Sequence, residues 1–142
     1  FLLVVSPDDP LNHMSYRKDD GREYIDISLL AERDFILTHP NQRTRQVTDR
    51  ALGLAGIRPR VKFHTKSIQT AVWLAYSGLG ITMAPSSYRA IFGSNCLPKY
   101  YYIEPKYKAY WDLMFCYLPE IPLSNGAKEM IKICKEYSPL WH

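Results

Sequence analysis

The sequence predicts an α/β protein with a mixed, mostly parallel sheet, because strand and helix patterns alternate through its central part. Val61, Phe63 and Thr65 alternate with lysines and a histidine, a period of two that predicts a strand with one buried face. Ser67 then supplies a helix N-cap, and apolar residues recur after it at helical spacing. The predicted elements of this part are strand 35–38, helix 42–55, strand 60–65, helix 67–77 and strand 80–84. Two successive strand–helix–strand units of this kind place binding sites at the carboxyl ends of parallel strands.

The composition excludes several classes of protein. The 142 residues suffice for one domain or two small lobes, and 46% hydrophobic with 23% charged residues is typical of a globular protein. No apolar run approaches the roughly 20 residues that span a bilayer, so we expect no membrane association. Cys96, Cys116 and Cys134 match no zinc or redox spacing, which predicts reduced thiols in a cytoplasmic protein. The net charge of +4 is too small to indicate nucleic-acid binding by itself.

The first third of the chain leads into this central part. Residues 1–5 form a continuous apolar run that predicts a buried strand, closed by a turn cluster. The chain lacks an initiator Met and begins in this predicted strand, so we expect it to have been cut from a longer protein whose missing part precedes Phe1. Residues 25–31 predict a short helical turn capped by Asp26 or Ser28.

The first long helix is predicted over residues 42–55. Asn41 is expected to cap it, and Gly56 to end it. Its predicted apolar stripe consists of Val47, Ala51, Leu54 and Ala55.

The pattern is less regular after Pro85. A short helix over 86–92 and a loop at 93–95 precede a strand over 99–104, which Pro105 ends. The run 111–118 is apolar at nearly every position and predicts a strand covered on both faces. Ser124 is then expected to cap a last helix, whose predicted buried stripe consists of Ala127, Met130, Ile131 and Cys134.

No residue pattern indicates an enzyme, a metal site or a cofactor site. The four histidines are scattered without the spacing of a helical metal site. The sequence Ser-Gly-Leu-Gly at 77–80 is neither a nucleophile elbow nor a phosphate loop, and it fits a helix end better. We therefore expect no catalytic residue, no metal and no cofactor.

Two polar junctions give the candidate site. Thr38, His39, Pro40 and Asn41 precede the first predicted helix, and residues 65–67 precede the second. At the amino end of a helix, free amides and the helix dipole favour an anion. The alternative is that Asn41 only caps its helix, as Ser67 would cap the next.

Basic residues are concentrated in the same region. Seven Lys or Arg against one acid, Asp49, lie between residues 41 and 66. This excess fits either a solvated basic face or the attraction of an anionic effector.

Short stretches of the first 88 residues resemble a known family. The most specific are Thr65-Lys66-Ser67, Ser77-Gly78-Leu79-Gly80-Ile81 and Ala84-Pro85, with further pieces at 3–11, 26–30, 35–37, 40 and 55–59. These stretches and the order of elements resemble the carboxy-terminal effector-binding, or substrate-binding, region of LysR-type transcriptional regulators. Through Glu136 the resemblance is one of element order. Asp9 stands where the family usually has His.

The resemblance implies a periplasmic-binding-protein-like (type II) fold, with two α/β lobes and a small molecule bound between them. It implies a hinge strand at 1–5, a complete lobe at 6–84, and a return hinge strand with the carboxy-terminal strand and helix of a second, incomplete lobe at 85–142. The effector, expected to be a carboxylate or other anion, would contact Thr38, His39, Pro40, Asn41, Thr44, Thr65, Lys66 and Ser67.

The resemblance also implies partners. DNA would be bound only through a winged helix-turn-helix that is absent from these residues, and the regulator would be a homo-oligomer. Because part of the cleft would come from the missing half-lobe, we expect the 142 residues alone to bind an effector weakly.

Three alternatives stay open at this point. A solute-binding protein of a transporter and an enzyme built on two such lobes would share the fold. An interaction module with a vestigial cleft is the third.

Overall fold

The computed structural model describes residues 1–90, 98–112 and 114–137. The chain divides into two compact units, Phe1–Tyr110 and Trp111–His142. The described strands are β1 (Leu2–Val5), β2 (Tyr16–Arg17), β3 (Glu23–Tyr24), β4 (Asp34–Thr38), β5 (Arg60–Thr65), β6 (Thr82–Ala84) and β7 (Lys99–Tyr102). The α-helices are α1 (Arg43–Leu54), α2 (Ile68–Tyr76) and α3 (Asn125–Tyr137), and short 3-10 helices span Pro10–His13, Ile27–Leu30, Ser86–Ala90 and Pro105–Tyr107.

The sheet of the first unit is mixed. Five strands pair in the order β2-β3-β7-β1-β6, and β1 is antiparallel to both of its neighbours. Strands β4 and β5 pair in parallel, and a parallel bridge between Phe35 and Ile81 joins β4 to the start of β6. The predicted strand–helix–strand units are therefore confirmed.

The two helices of the first unit pack on opposite faces of this sheet. Leu3 lies in a core cluster with Ala51 and Leu52 of α1. The next residue, Val4, lies in a second cluster with Val72 and other residues of α2. Adjacent strand residues point to opposite faces, so the apolar run of β1 supplies both cores. This explains why all four β1 residues are buried.

The start and the packing face of α1 differ from the prediction. Gln42, not Asn41, occupies the N-cap position, and its side chain makes no capping hydrogen bond. Leu54, predicted to lie in the apolar stripe, is 53% exposed, whereas Leu52 is fully buried. Ala51 and Leu52 pack together against the sheet, and this sets which face of α1 is buried. Position 54 therefore points toward solvent.

Strand β5 lacks the buried face that its alternation predicts. Phe63 is 40% exposed. Val61 pairs with Phe35 while Phe63 pairs with Ile36, so Lys62 is an extra residue that shifts the register. In the described chain, β5 pairs with β4 alone, which leaves this strand at the edge of the sheet.

Several predicted turns and caps are confirmed. The Asp26 side chain accepts from the Ser28 amide and caps the Ile27–Leu30 turn. The Ser67 hydroxyl accepts from the Thr70 amide at 3.4 Å. Gly78 has φ +76°, the left-handed conformation expected where α2 ends.

The second unit departs most from the prediction. The described residues of 111–118 pair with no strand, and Met114 is 74% exposed, because no neighbouring strand among the described residues completes a ladder. Ser124 caps α3 as expected, through the Ala127 amide at 3.2 Å. Met130 is exposed, however, and no described residue of α3 is fully buried.

Two predictions cannot be compared with the structure. The end of the predicted helix 86–92 and the loop 93–95 lie outside the described residues, as does Cys96. The other two cysteines, Cys116 and Cys134, are free thiols.

Candidate functional site at the carboxyl ends of two parallel strands

The parallel pairing of β4 and β5 brings the two polar junctions together. Thr38 and Thr65 are direct partners at the ends of these strands. The pairing continues by one residue, because the His39 amide donates to the Thr65 carbonyl at 3.1 Å. The two junctions are therefore neighbours at one edge of the sheet.

The first junction is closed by a pair of hydroxyls. Thr38 is only 2% exposed, and its Oγ1 lies 2.8 Å from Oγ1 of Thr44 in the first turn of α1. Thr44 in turn offers its carbonyl to the Thr48 hydroxyl at 3.1 Å. These bonds fix the start of α1 against the end of β4.

Gln42 links the two junctions, and the sequence did not single it out. Its Nε2 donates to the Lys66 carbonyl at 2.7 Å. Its Oε1 is buried and has no hydrogen-bond partner in the described part of the chain. Because neither this side chain nor another caps α1, the first-turn amides keep no acceptor within the helix. A polar amide side chain at the first position of the predicted helix was the signal available for finding it.

Pro40 and Asn41 are exposed at the tip of the first junction. The Asn41 side chain makes no hydrogen bond with the described residues. The Asn41 side chain is therefore accessible to solvent and does not cap α1.

The second junction is largely committed to local structure. Thr65 Oγ1 accepts from the Ser67 amide at 3.0 Å and donates to the Ser67 carbonyl at 3.1 Å. The Ser67 hydroxyl caps α2. The Lys66 side chain is exposed and forms no ion pair with a described residue. Its charge is available to a bound anion.

Arg45 is a second residue that the sequence did not single out. Its side chain is only 13% exposed, Nε donates to Asp49 at 2.7 Å, and Nη1 donates to the Thr38 carbonyl at 3.2 Å. Nη2 has no partner among the described residues. The guanidinium is thus held in place by two bonds, and arginine side chains commonly bind carboxylates and phosphates.

Two imidazoles complete this edge. The rings of His39 and His64 stack at 6.0 Å between centroids, with 28° between their planes. Their pairing follows from the neighbouring ends of β4 and β5.

The arrangement is suited to binding. The described ranges contain no group of three or more His, Cys, Asp and Glu side chains that could hold a metal ion. The donors here are the uncapped helix amides, Nη2 of Arg45, the Lys66 ammonium and the one hydroxyl hydrogen that the Thr38–Thr44 bond does not use. Such a donor set fits an anion. None of the helices in the described ranges is both long and apolar enough to cross a membrane.

Solved structures share this architecture. The regulatory domain of CcmR from Synechocystis PCC6803, in complex with 2-PG, is 16% identical, with a TM-score of 0.71 over 93% of this chain and 59% of that one. The carboxy-terminal domain of a probable LysR family transcriptional regulator from Rhodococcus sp. RHA1 is 22% identical, with a TM-score of 0.69 over 94% of this chain and 62% of that one. The effector-binding domain of QuiR in complex with shikimate is 20% identical, with a TM-score of 0.53 over 76% of this chain and 56% of that one.

The chain thus spans about three fifths of the length of the two structures with the higher TM-scores. No curated protein matches it. The sequence profile of the LysR substrate binding domain, in contrast, matches residues 1–139, which is nearly the whole chain. The structural likeness supports the expected type II periplasmic-binding-protein-like fold. The chain therefore belongs to the family of LysR substrate-binding domains.

Proposed function

We propose that the effector of this domain is a small anion, bound where β4 and β5 end. The observation that supports this most directly is the start of α1, whose first-turn amides are uncapped. There the Arg45 guanidinium donates to the carbonyl of Thr38, and the Thr38 hydroxyl pairs with that of Thr44. The contacting residues would be Thr38, His39, Pro40, Asn41, Thr44, Thr65, Lys66 and Ser67, together with Arg45. The 2-PG and shikimate bound by CcmR and QuiR make small acids the first compounds to test.

We infer that the domain acts by binding rather than by catalysis. The chemistry of the site supports this, because its side chains are hydrogen-bond donors and cations without a paired nucleophile and base. Membership of a regulator family points the same way.

We also propose the organisation of the domain that the resemblance implies. It has a hinge strand at 1–5, a complete lobe at 6–84, and a return hinge strand with part of a second lobe at 85–142. The antiparallel pairing of β1 with β7 supports two strands that run side by side between lobes. Ligand-driven closure of the lobes would then change how such domains pack in a homo-oligomer. A winged helix-turn-helix outside these residues would bind DNA, in a cytoplasmic regulator.

A thermal-shift screen on the protein that carries this chain tests the proposal. The screen contains 2-PG, shikimate and a set of short-chain, amino and aromatic acids, each paired with its uncharged amide or alcohol. We expect at least one acid, and not its uncharged partner, to raise the unfolding temperature in a concentration-dependent way. Stabilisation by uncharged compounds alone, or by none of the compounds, would contradict an anionic effector.

A further inference from the structure

One arginine of α1 holds a segment far from the candidate site in sequence. Arg50 Nη2 donates to the Lys108 carbonyl at 2.9 Å and also to the Tyr110 carbonyl. Its guanidinium carbon lies 5.8 Å from the centre of the Tyr110 ring. We call residues 105–110 the strap. The strap follows β7 and ends at the last residue of the first compact unit.

The strap is shaped to meet this arginine. Its 3-10 helix, Pro105–Tyr107, ends at Lys108, the one non-glycine residue with positive φ (+51°) among those the structure describes. This left-handed conformation costs free energy at a residue with a side chain, so it needs compensating contacts. The Lys108 amide donates to the Pro105 carbonyl at 3.0 Å, and Ala109 is buried. The turn directs the carbonyls of Lys108 and Tyr110 to one nitrogen of Arg50.

Helix α1 connects the strap to the candidate site. Thr44 and Arg45 lie in its first turn, and Arg50 follows six residues after Thr44, which is about 9 Å along the helix axis. A helix moves as a rigid rod over this length, so a displacement of its amino end reaches Arg50.

We propose that Arg50 is a positioning residue that clamps the strap to α1 and thereby couples the effector-binding end of α1 to the peptide leaving the first unit. The clamp rests on the observed bonds alone. Its coupling to an effector rests on the proposed function. Arg50 is exposed, so the fold does not depend on burying it, and variants at this position are expected to fold.

Hydrogen exchange on the protein that carries this chain tests the clamp. The probes are the amides of Tyr107 and Lys108, which donate to the carbonyls of Glu104 and Pro105 at 3.0 Å each. The reference is the His39 amide, which donates to the Thr65 carbonyl. We expect Arg50→Ala to speed exchange of the two strap amides by about tenfold and to leave the reference unchanged. Arg50→Lys should restore slow exchange, because an ammonium can also donate to both carbonyls.

The control is Arg58→Ala, which removes an exposed arginine without a hydrogen bond to the described residues. In Arg58→Ala, the strap amides are expected to exchange at the wild-type rate. Unchanged strap exchange in Arg50→Ala, or equal acceleration at His39 and at the strap, would overturn the clamp. The coupling has a separate test, in which an acid found by the screen changes strap exchange in the wild type but not in Arg50→Ala. An acid that binds without changing wild-type strap exchange would overturn the coupling, whereas the absence of any binding acid would contradict only the proposed function.

Discussion

The side chains that join β4 to α1 are where the fold and the proposed chemistry meet. Thr38 could be selected from the sequence because a hydroxyl at the end of a strand is recognisable from its position, whereas Thr44 was implied only by the family resemblance. Gln42 and Arg45 could not be selected in either way. Their roles depend on the Lys66 and Thr38 carbonyls, which are brought near by parallel pairing of β4 with β5.

A double-mutant cycle measures the hydroxyl pair. Thr38→Val and Thr44→Val each remove one partner of a 2.8 Å hydrogen bond while keeping side-chain size. We expect the two changes to be coupled by about 1 kcal/mol in the free energy of unfolding, measured by urea denaturation. Strict additivity of the two single changes would show that the hydroxyls do not stabilise each other.

Two glycines give opposite expectations for the same substitution. Gly80 has φ +159°, and an added Cβ would lie 2.7 Å from the Asp34 carbonyl oxygen. Gly53, within α1, has open space around an added Cβ. Gly80→Ala is expected to lower the free energy of unfolding by about 2 kcal/mol, and Gly53→Ala to raise it by about 0.5–1 kcal/mol. Equal melting temperatures of the two variants would contradict the close approach at Gly80.

Among the elements, β4, α2 and β6 follow local patterns closely, and β5 does not. The alternation of Val61 and Phe63 predicts one buried face, but the extra residue Lys62 moves the strand out of that phase. A register shift arises between strands, so no single strand's sequence specifies it. The apolar run 111–118 is a similar case, because a strand forms only where another strand pairs with it.

A polar contact fastens the edge hairpin β2–β3 to the end of β7. Glu104 accepts from Tyr16 Oη at 2.7 Å and pairs with Lys18 Nζ at 2.6 Å. The hydrogen bond from Lys18, followed by that from Tyr16, lowers the pKa of Glu104 below its ordinary 4.5. The same contact raises the pKa of Tyr16 to about 12, chiefly through its hydrogen bond to Glu104.

Titration of the Glu104 carboxyl by NMR tests this contact. Lys18→Met should raise the pKa of Glu104 toward 4.5, and by more than Tyr16→Phe does. Because the pKa is lowered in the folded state, the contact stabilises the hairpin above about pH 4.5. That contribution is lost as the pH falls through the lowered pKa. An unchanged Glu104 titration in Lys18→Met would rule out the pairing.

At the scale of the whole molecule, family membership could be predicted from two likenesses to the family. Short sequence stretches match it within the first 88 residues, and the order of elements matches it through Glu136. The matched profile covers residues 1–139 although the three solved structures named above are only 16–22% identical to this chain. The identity of the effector could not be predicted. Two side chains beside the candidate site, Gln42 and Arg45, are oriented by tertiary contacts that the sequence does not reveal.

The central claim is that an anion binds at the start of α1, and calorimetry on the protein that carries this chain tests it most directly. The acid that gives the largest thermal shift is titrated into the wild type, Arg45→Gln and the exposed-arginine control Arg58→Gln. We expect Arg45→Gln to weaken binding by about 10- to 100-fold, since a charge-assisted hydrogen bond is lost, and Arg58→Gln to bind like the wild type. Equal affinities for all three proteins, with Arg45→Gln folded by circular dichroism, would contradict an anion site at this end of the helix.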